Sequence, residues 1–122
     1  MKKYGLGVLG EQYVSDWMEA EGYTVLARNF SGRFGEIDIV AKKNMFICFV
    51  EVKTRGPSRI ARPMESVTYS KQQKIVKTAQ YYMATHKSLV YGGKLQPRFD
   101  CAEVFADETD VPYRINYIEN AF

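Results

Sequence analysis

Apolar residues recur at helical spacing from residue 7 to residue 21. Val8, Leu9, Tyr13, Val14, Trp17 and Met18 share one side, and Gly22 ends the run. The period then shortens. Residues 24–29 read as a strand, Ile37, Ile39 and Val40 flank Asp38, and residues 45–52 are almost wholly apolar. Lys42-Lys43-Asn44 separates the last two stretches, which predicts a β-hairpin with a buried second strand. Ser70, with Gln73 three residues on, matches a capping box. A helix after it carries Ile75, Val76, Ala79, Tyr82 and Met83 on one side. Gly92-Gly93 marks a turn, residues 98–105 a strand, residues 107–110 an acidic loop and residues 114–119 a last strand. The order α-β-β-β-α-β-β predicts an α/β fold, a central mixed sheet flanked by helices. Residues 1–122 are expected to form one domain, with 106–122 as an acidic C-terminal extension.

The hairpin carries the candidate chemistry. Side chains alternate along a strand, so Glu51 and Lys53 point one way, and Val50 and Val52 the other. A two-residue turn at Lys43-Asn44 or at Asn44-Met45 pairs even positions with odd ones. Either turn puts Asp38 on the face of Glu51 and Lys53, and the second sets Asp38 directly opposite Glu51. A single bulge would break the parity. Glu36 shares the face of Asp38 and is an outer candidate. Carboxylates bind hard cations through oxygen. Such a cation polarises a phosphoryl oxygen and acidifies water, and a lysine can stabilise charge developing on phosphate. The bland alternative is a solvated Glu-x-Lys pair at a strand end.

Composition narrows the class. The chain is 46% hydrophobic and 14% aromatic, which is a folded composition. No stretch is long and apolar enough to span a membrane, and Glu11 interrupts any secretory core near the N-terminus. Cys48 and Cys101 lie in apolar runs without zinc spacing, so buried reduced thiols in a cytoplasmic protein are expected. His86, the one histidine, falls near a helix C-terminus, where it complements the dipole. The net charge of +3 is unevenly spread. Residues 103–122 hold five acids and one base, a net of −4, leaving +7 on residues 1–102. Lys53, Arg55, Arg59 and Arg62 crowd the segment around the Gly56-Pro57 break. Lys71, Lys74 and Lys77 stripe the following helix. A basic loop beside a candidate cation site suits a polyanion; a solvated surface is the plain alternative.

Several motifs recur in order: Gly7-x-x-Gly10-Glu11, Arg28-Asn29, Gly35-Glu36-Ile37-Asp38, Phe49-Val50-Glu51-Val52-Lys53-Thr54-Arg55, Lys71 and Arg98-Phe99-Asp100. With these gaps the chain resembles the YraN-like family of small bacterial proteins from about Tyr4 to about Val104. That family is similar to archaeal Holliday junction resolvases of the restriction-endonuclease-like fold. The resemblance implies a nuclease dependent on Mg2+ or Mn2+. In it Asp38, Glu51 and Glu11 hold the metal with the Val52 carbonyl, and Lys53 is catalytic. It leaves Arg98 and Asp100 as a core-flanking pair or an outer contact. Val14 stands where the family usually has alanine, and Ala61-Arg62-Pro63 departs from its usual loop. DNA, branched or otherwise structured, is the expected partner. Arg55, Arg59, Arg62, Lys71 and Lys74 would hold its backbone, and a homodimer would suit two cuts. The rival readings are a non-catalytic nucleic-acid-binding protein of the same fold and an interaction protein whose hairpin or acidic tail docks a partner.

Overall fold

The structure is a computed structural model that describes residues 5–56 and 67–122. Helix α1 spans Leu6–Ala20, and strands β1, β2 and β3 span Thr24–Gly32, Gly35–Lys43 and Phe46–Arg55. Helix α2 spans Tyr69–Thr85, and a single helical turn, α3, covers Lys87–Val90. Strands β4 and β5 occupy Gln96–Ala106 and Pro112–Ile118. The five strands form one sheet in the order β1-β2-β3-β4-β5. Only the β3–β4 pair is parallel, joined by the crossover that contains α2. This is the mixed sheet with flanking helices that the residue pattern and the family resemblance both predict.

The two helices define two apolar layers. Val14 and Met18 of α1 pack with Ile39, Ala41, Cys48, Val50, Ala102 and Val104. Ile75, Ala79 and Tyr82 of α2 pack with Ile37, Val40, Ile47 and Phe49. Strand β3 contributes to both layers because its residues alternate and both its faces are covered, which explains its nearly unbroken apolar run.

Several element boundaries differ from expectation: β1 runs on to Gly32, and β4 starts at Gln96. The N-cap of α2 is Thr68, whose hydroxyl accepts the Lys71 N–H at 3.2 Å, and Ser70 lies inside the first turn. Both residues are good caps by type, and the sequence pattern favoured the one followed by Gln73. Strand β5 begins at Pro112, two residues ahead of the expected start, and pairs with β4 from Cys101↔Ile118 to Ala106↔Pro112. The acidic extension therefore supplies an edge strand. His86 caps the end of α2, its Nδ1 2.8 Å from the Tyr82 carbonyl oxygen, as its position near the helix end suggested.

Candidate functional site

Strands β2 and β3 pair with Ile39 opposite Val50 and Lys43 opposite Phe46, so the turn falls on Asn44-Met45. Asn44 adopts φ 54°, a left-handed conformation that asparagine tolerates well. The ladder stops at Ile39↔Val50. Continued by one residue it would set Asp38 against Glu51, but the strands part there, and the Asp38 side chain bridges them. Its Oδ2 accepts the Val52 N–H at 2.8 Å, taking the place of a strand carbonyl.

A change of face accompanies this opening. Ile39 packs in the α1 layer, whereas Ile37, two residues earlier, packs in the α2 layer. A regular pleat would put both on one side, so β2 turns about its axis at Asp38. This corrects the parity argument, which assumed unbroken alternation. Asp38 lies between the two faces rather than on the face of Glu51 and Lys53, and it borders a cleft on each side.

The other carboxylates approach from opposite directions. Glu51 is buried on the α2 side, where it is ion-paired with Lys71. Glu11 comes from α1. Its Oε1 accepts from the Asn29 amide at 2.9 Å and lies 3.4 Å from the Arg28 guanidinium. Gly10 permits that approach, because a Cβ at this position would collide with the Thr54 hydroxyl. Asn29 adopts φ 51°, which turns β1 locally and brings its amide to Glu11. A cleft of about 490 Å³ on this side is lined by Glu11, Arg28, Asn29, Glu36, Asp38 and Thr54, among others. A second cleft, of about 440 Å³, is lined by Glu36, Asp38, Glu51, Thr68, Lys71 and Lys74, among others.

The electrostatics follow from this enclosure. Burial raises the Asp38 carboxyl to about 7, against the Val52 N–H, which lowers it. Glu51 and Glu11 push it up further, and Lys71 offsets part of their effect. The hydrogen bond to Glu51 raises the Lys71 ammonium, so Lys71 is held in its charged form.

A hard divalent cation suits these donors chemically. Glu51 is a buried oxygen donor and Asp38 a half-buried one, and Glu11 shares a cleft with Asp38 on the α1 side. In extended backbone the N–H and C=O of one residue leave on the same side. The Val52 carbonyl is therefore directed toward Asp38. Among the described residues no three acidic, histidine or cysteine side chains gather into a metal cluster. A magnesium-like ion held by Asp38 and Glu51 would draw its remaining ligands from backbone oxygen and water, as that ion commonly does.

The remaining candidates separate by place. Lys53 is half-buried on β3, in register with Glu103 of β4. Arg55 is buried and lies 3.3 Å from Glu103, a core position rather than a surface that greets a polyanion. Arg59 and Arg62 lie outside the described residues. Lys74 borders the second cleft, and Glu36 borders both. Arg98 and Asp100 are buried in the α1 layer away from the clefts. Asp100 accepts from Arg98 at 3.0 Å, from the Tyr117 hydroxyl at 2.6 Å and from the Asn120 N–H at 3.0 Å, so the pair ties the sheet to its C-terminal strand. Arg28, Asn29 and Thr54 enter the site although sequence reasoning gave them no role of their own; the motifs that contain them were the available signal.

Known proteins place the chain among relatives of its own size. A UPF0102 protein of Caldicellulosiruptor bescii is 43% identical over 117 residues, covering 96% of each chain. One from Clostridium botulinum is 42% identical over 117 residues, covering 96% of this chain and 93% of its own. One from Caldanaerobacter subterraneus is 40% identical over 123 residues, covering 100% and 98%. The family model described as "Uncharacterised protein family UPF0102" matches residues 10–104, a span that runs from the glycine that admits α1 to the end of the α1-side core on β4. The chain belongs to the UPF0102 family.

Proposed function

We propose that this protein is a metal-dependent endonuclease that hydrolyses phosphodiester bonds in DNA, with a structured or branched strand as substrate. The observation that carries the reading is Asp38. It is a carboxylate held between strands, raised to about 7 by burial and by two further acids, and open to a cleft on either side. Unpaired buried charge is costly, and a divalent cation would offset that cost. Bound there, such a cation would polarise the phosphoryl group and acidify an attacking water.

The chain's own residues supply the rest. Asp38 and Glu51 hold the cation with the Val52 carbonyl and water, and Glu11, held by Asn29 and Arg28, borders the site as an outer carboxylate. Lys53, two residues from Glu51 on the same strand, orients water or stabilises negative charge on the phosphate. Lys71 pairs with Glu51 and fixes its position. Lys74, on the rim of the second cleft, positions the DNA backbone without reading sequence.

The test is incubation of purified protein with single-stranded, duplex and four-way-junction DNA, with Mn2+, with Mg2+ and with EDTA. Cleavage is expected with metal only, and Lys53→Ala and Asp38→Asn should abolish it. Cleavage that survives both substitutions would refute the site. DNA binding without cleavage by the wild type would favour the non-catalytic reading.

A further inference from the structure

The tip of the β1–β2 hairpin and the adjoining face of α2 each present an aromatic ring to solvent beside the second cleft. Phe34 is 46% exposed and Tyr81 of α2 is 52% exposed. Two open rings that share one cavity beside a polar site offer a stacking surface to a ligand. They border a third cavity, of about 460 Å³, lined by Ser31, Gly32, Arg33, Phe34, Thr78 and Tyr81. Gly32 lies on its floor, where a Cβ would be in contact with both Thr78 and Tyr81 at 3.4 Å. The Tyr81 ring is braced from behind by Phe30, with centroids 5.9 Å apart.

Cations surround the rings. The Lys77 ammonium lies 4.9 Å from the Phe34 centroid and the Arg33 guanidinium 5.8 Å from it. Lys74 lines the neighbouring cleft and lies against Gly35, the residue after Phe34. Aromatic faces among basic groups are the combination that holds single-stranded nucleic acid, bases on the rings and phosphates on the cations. An apolar protein partner would have no use for three flanking cations. Glu36 borders the path, so the phosphate contacts fall to Arg33, Lys74 and Lys77.

We infer that the Phe34–Tyr81 cavity is a subsite for an unpaired nucleobase of the DNA strand whose backbone crosses the Asp38 clefts. The inference rests on the proposed nuclease reading and specifies its substrate: DNA with an unpaired nucleotide near the scissile phosphate. Phe34 is four residues from Asp38. At about 3.3 Å per residue this is at most roughly 13 Å, within the reach of one bound strand. The rings position substrate and take no part in bond cleavage.

The experiment measures binding in EDTA, so that cleavage plays no part. Labelled duplex, and the same duplex carrying a single-stranded fork, are titrated with wild type, Phe34→Ala, Tyr81→Ala and the conservative Tyr81→Phe. Wild type should prefer the fork. Each alanine variant should lose roughly 5- to 150-fold in affinity for the fork and little for the duplex, and Tyr81→Phe should retain fork binding. A 2-aminopurine in the unpaired arm should be quenched by wild type and not by Phe34→Ala. Equal losses on fork and duplex, or no loss on either, would overturn the subsite and leave the cation site standing. Fork-selective binding without metal-dependent cleavage would sustain the subsite and refute the nuclease. A wild type that binds neither DNA overturns the subsite, and the cleavage assay with Mn2+ decides the nuclease separately.

Discussion

Replacing Asp38 by asparagine should stabilise the protein while destroying its proposed activity. The amide oxygen can still accept the Val52 N–H, so the bridge between β2 and β3 survives. What disappears is a half-buried charge. The carboxyl titrates near 3.8 in an unfolded chain and at about 7 in the folded one, a rise that corresponds to roughly 4 kcal/mol. Between these values the folded state binds more protons than the unfolded state. The wild type therefore loses stability as pH rises through that window, and above about 7 the full cost is in place. Water reaching the clefts reduces the figure, so a gain of about 2–4 kcal/mol for Asp38→Asn at alkaline pH is the expectation. Below about pH 4 both proteins carry a neutral group there and should be nearly equal. Urea denaturation in EDTA, followed through Trp17, the sole tryptophan, gives both values. The reasoning fails if the two proteins differ by the same amount at both pH values, or if the variant is the less stable at alkaline pH. Mn2+ supplies a further contrast: it should stabilise the wild type by mass action and leave the variant unmoved.

Gly10→Ala should destabilise by about 1–3 kcal/mol through overpacking against Thr54, more than the helix propensity it gains, about 1 kcal/mol. Thr54→Ala in the same chain should recover most of the loss, which thermal denaturation of the single and double variants would reveal. Asp100→Asn should cost about 3 kcal/mol, because it leaves the buried Arg98 guanidinium with only the exposed Glu119 as a charged partner. Measured at a temperature where the variant remains folded, its fork affinity should match the wild type, since Asp100 lies away from both clefts.

Much of the site could be read from the chain. The second of the two hairpin registers considered is the one observed, and it follows from a two-residue turn that left-handed Asn44 accommodates. What pattern reasoning could not supply is the axial turn of β2 at Asp38. Alternation assumes a regular pleat, and the departure comes from tertiary packing, with Ile37 drawn to α2 and Ile39 to α1. Lys71 was open to reading as part of a wet stripe. A lysine in the first turn of a helix opposes the dipole, and that misfit was the clue to its partner Glu51. The Arg98–Asp100 pair sits at i and i+2 on one strand and is legible as a same-face contact. Its partners Tyr23, Tyr117 and Asn120 lie 17 or more residues away, and only the folded sheet joins them.

Cys48 and Cys101 lie on adjacent central strands, both fully enclosed, with burial raising their thiols to about 12 and about 11. Cys101 stands beside Glu51 in the parallel ladder. A thiol that neither ionises nor meets solvent is inert to alkylating reagents until the chain opens. The molecule thus carries two internal clocks, one in the α1 layer and one next to the candidate site. The rate at which each is labelled under native conditions measures how often that part of the sheet opens. A ligand that engages Glu51 would slow the second clock, so occupancy of the site can be timed without any product being formed.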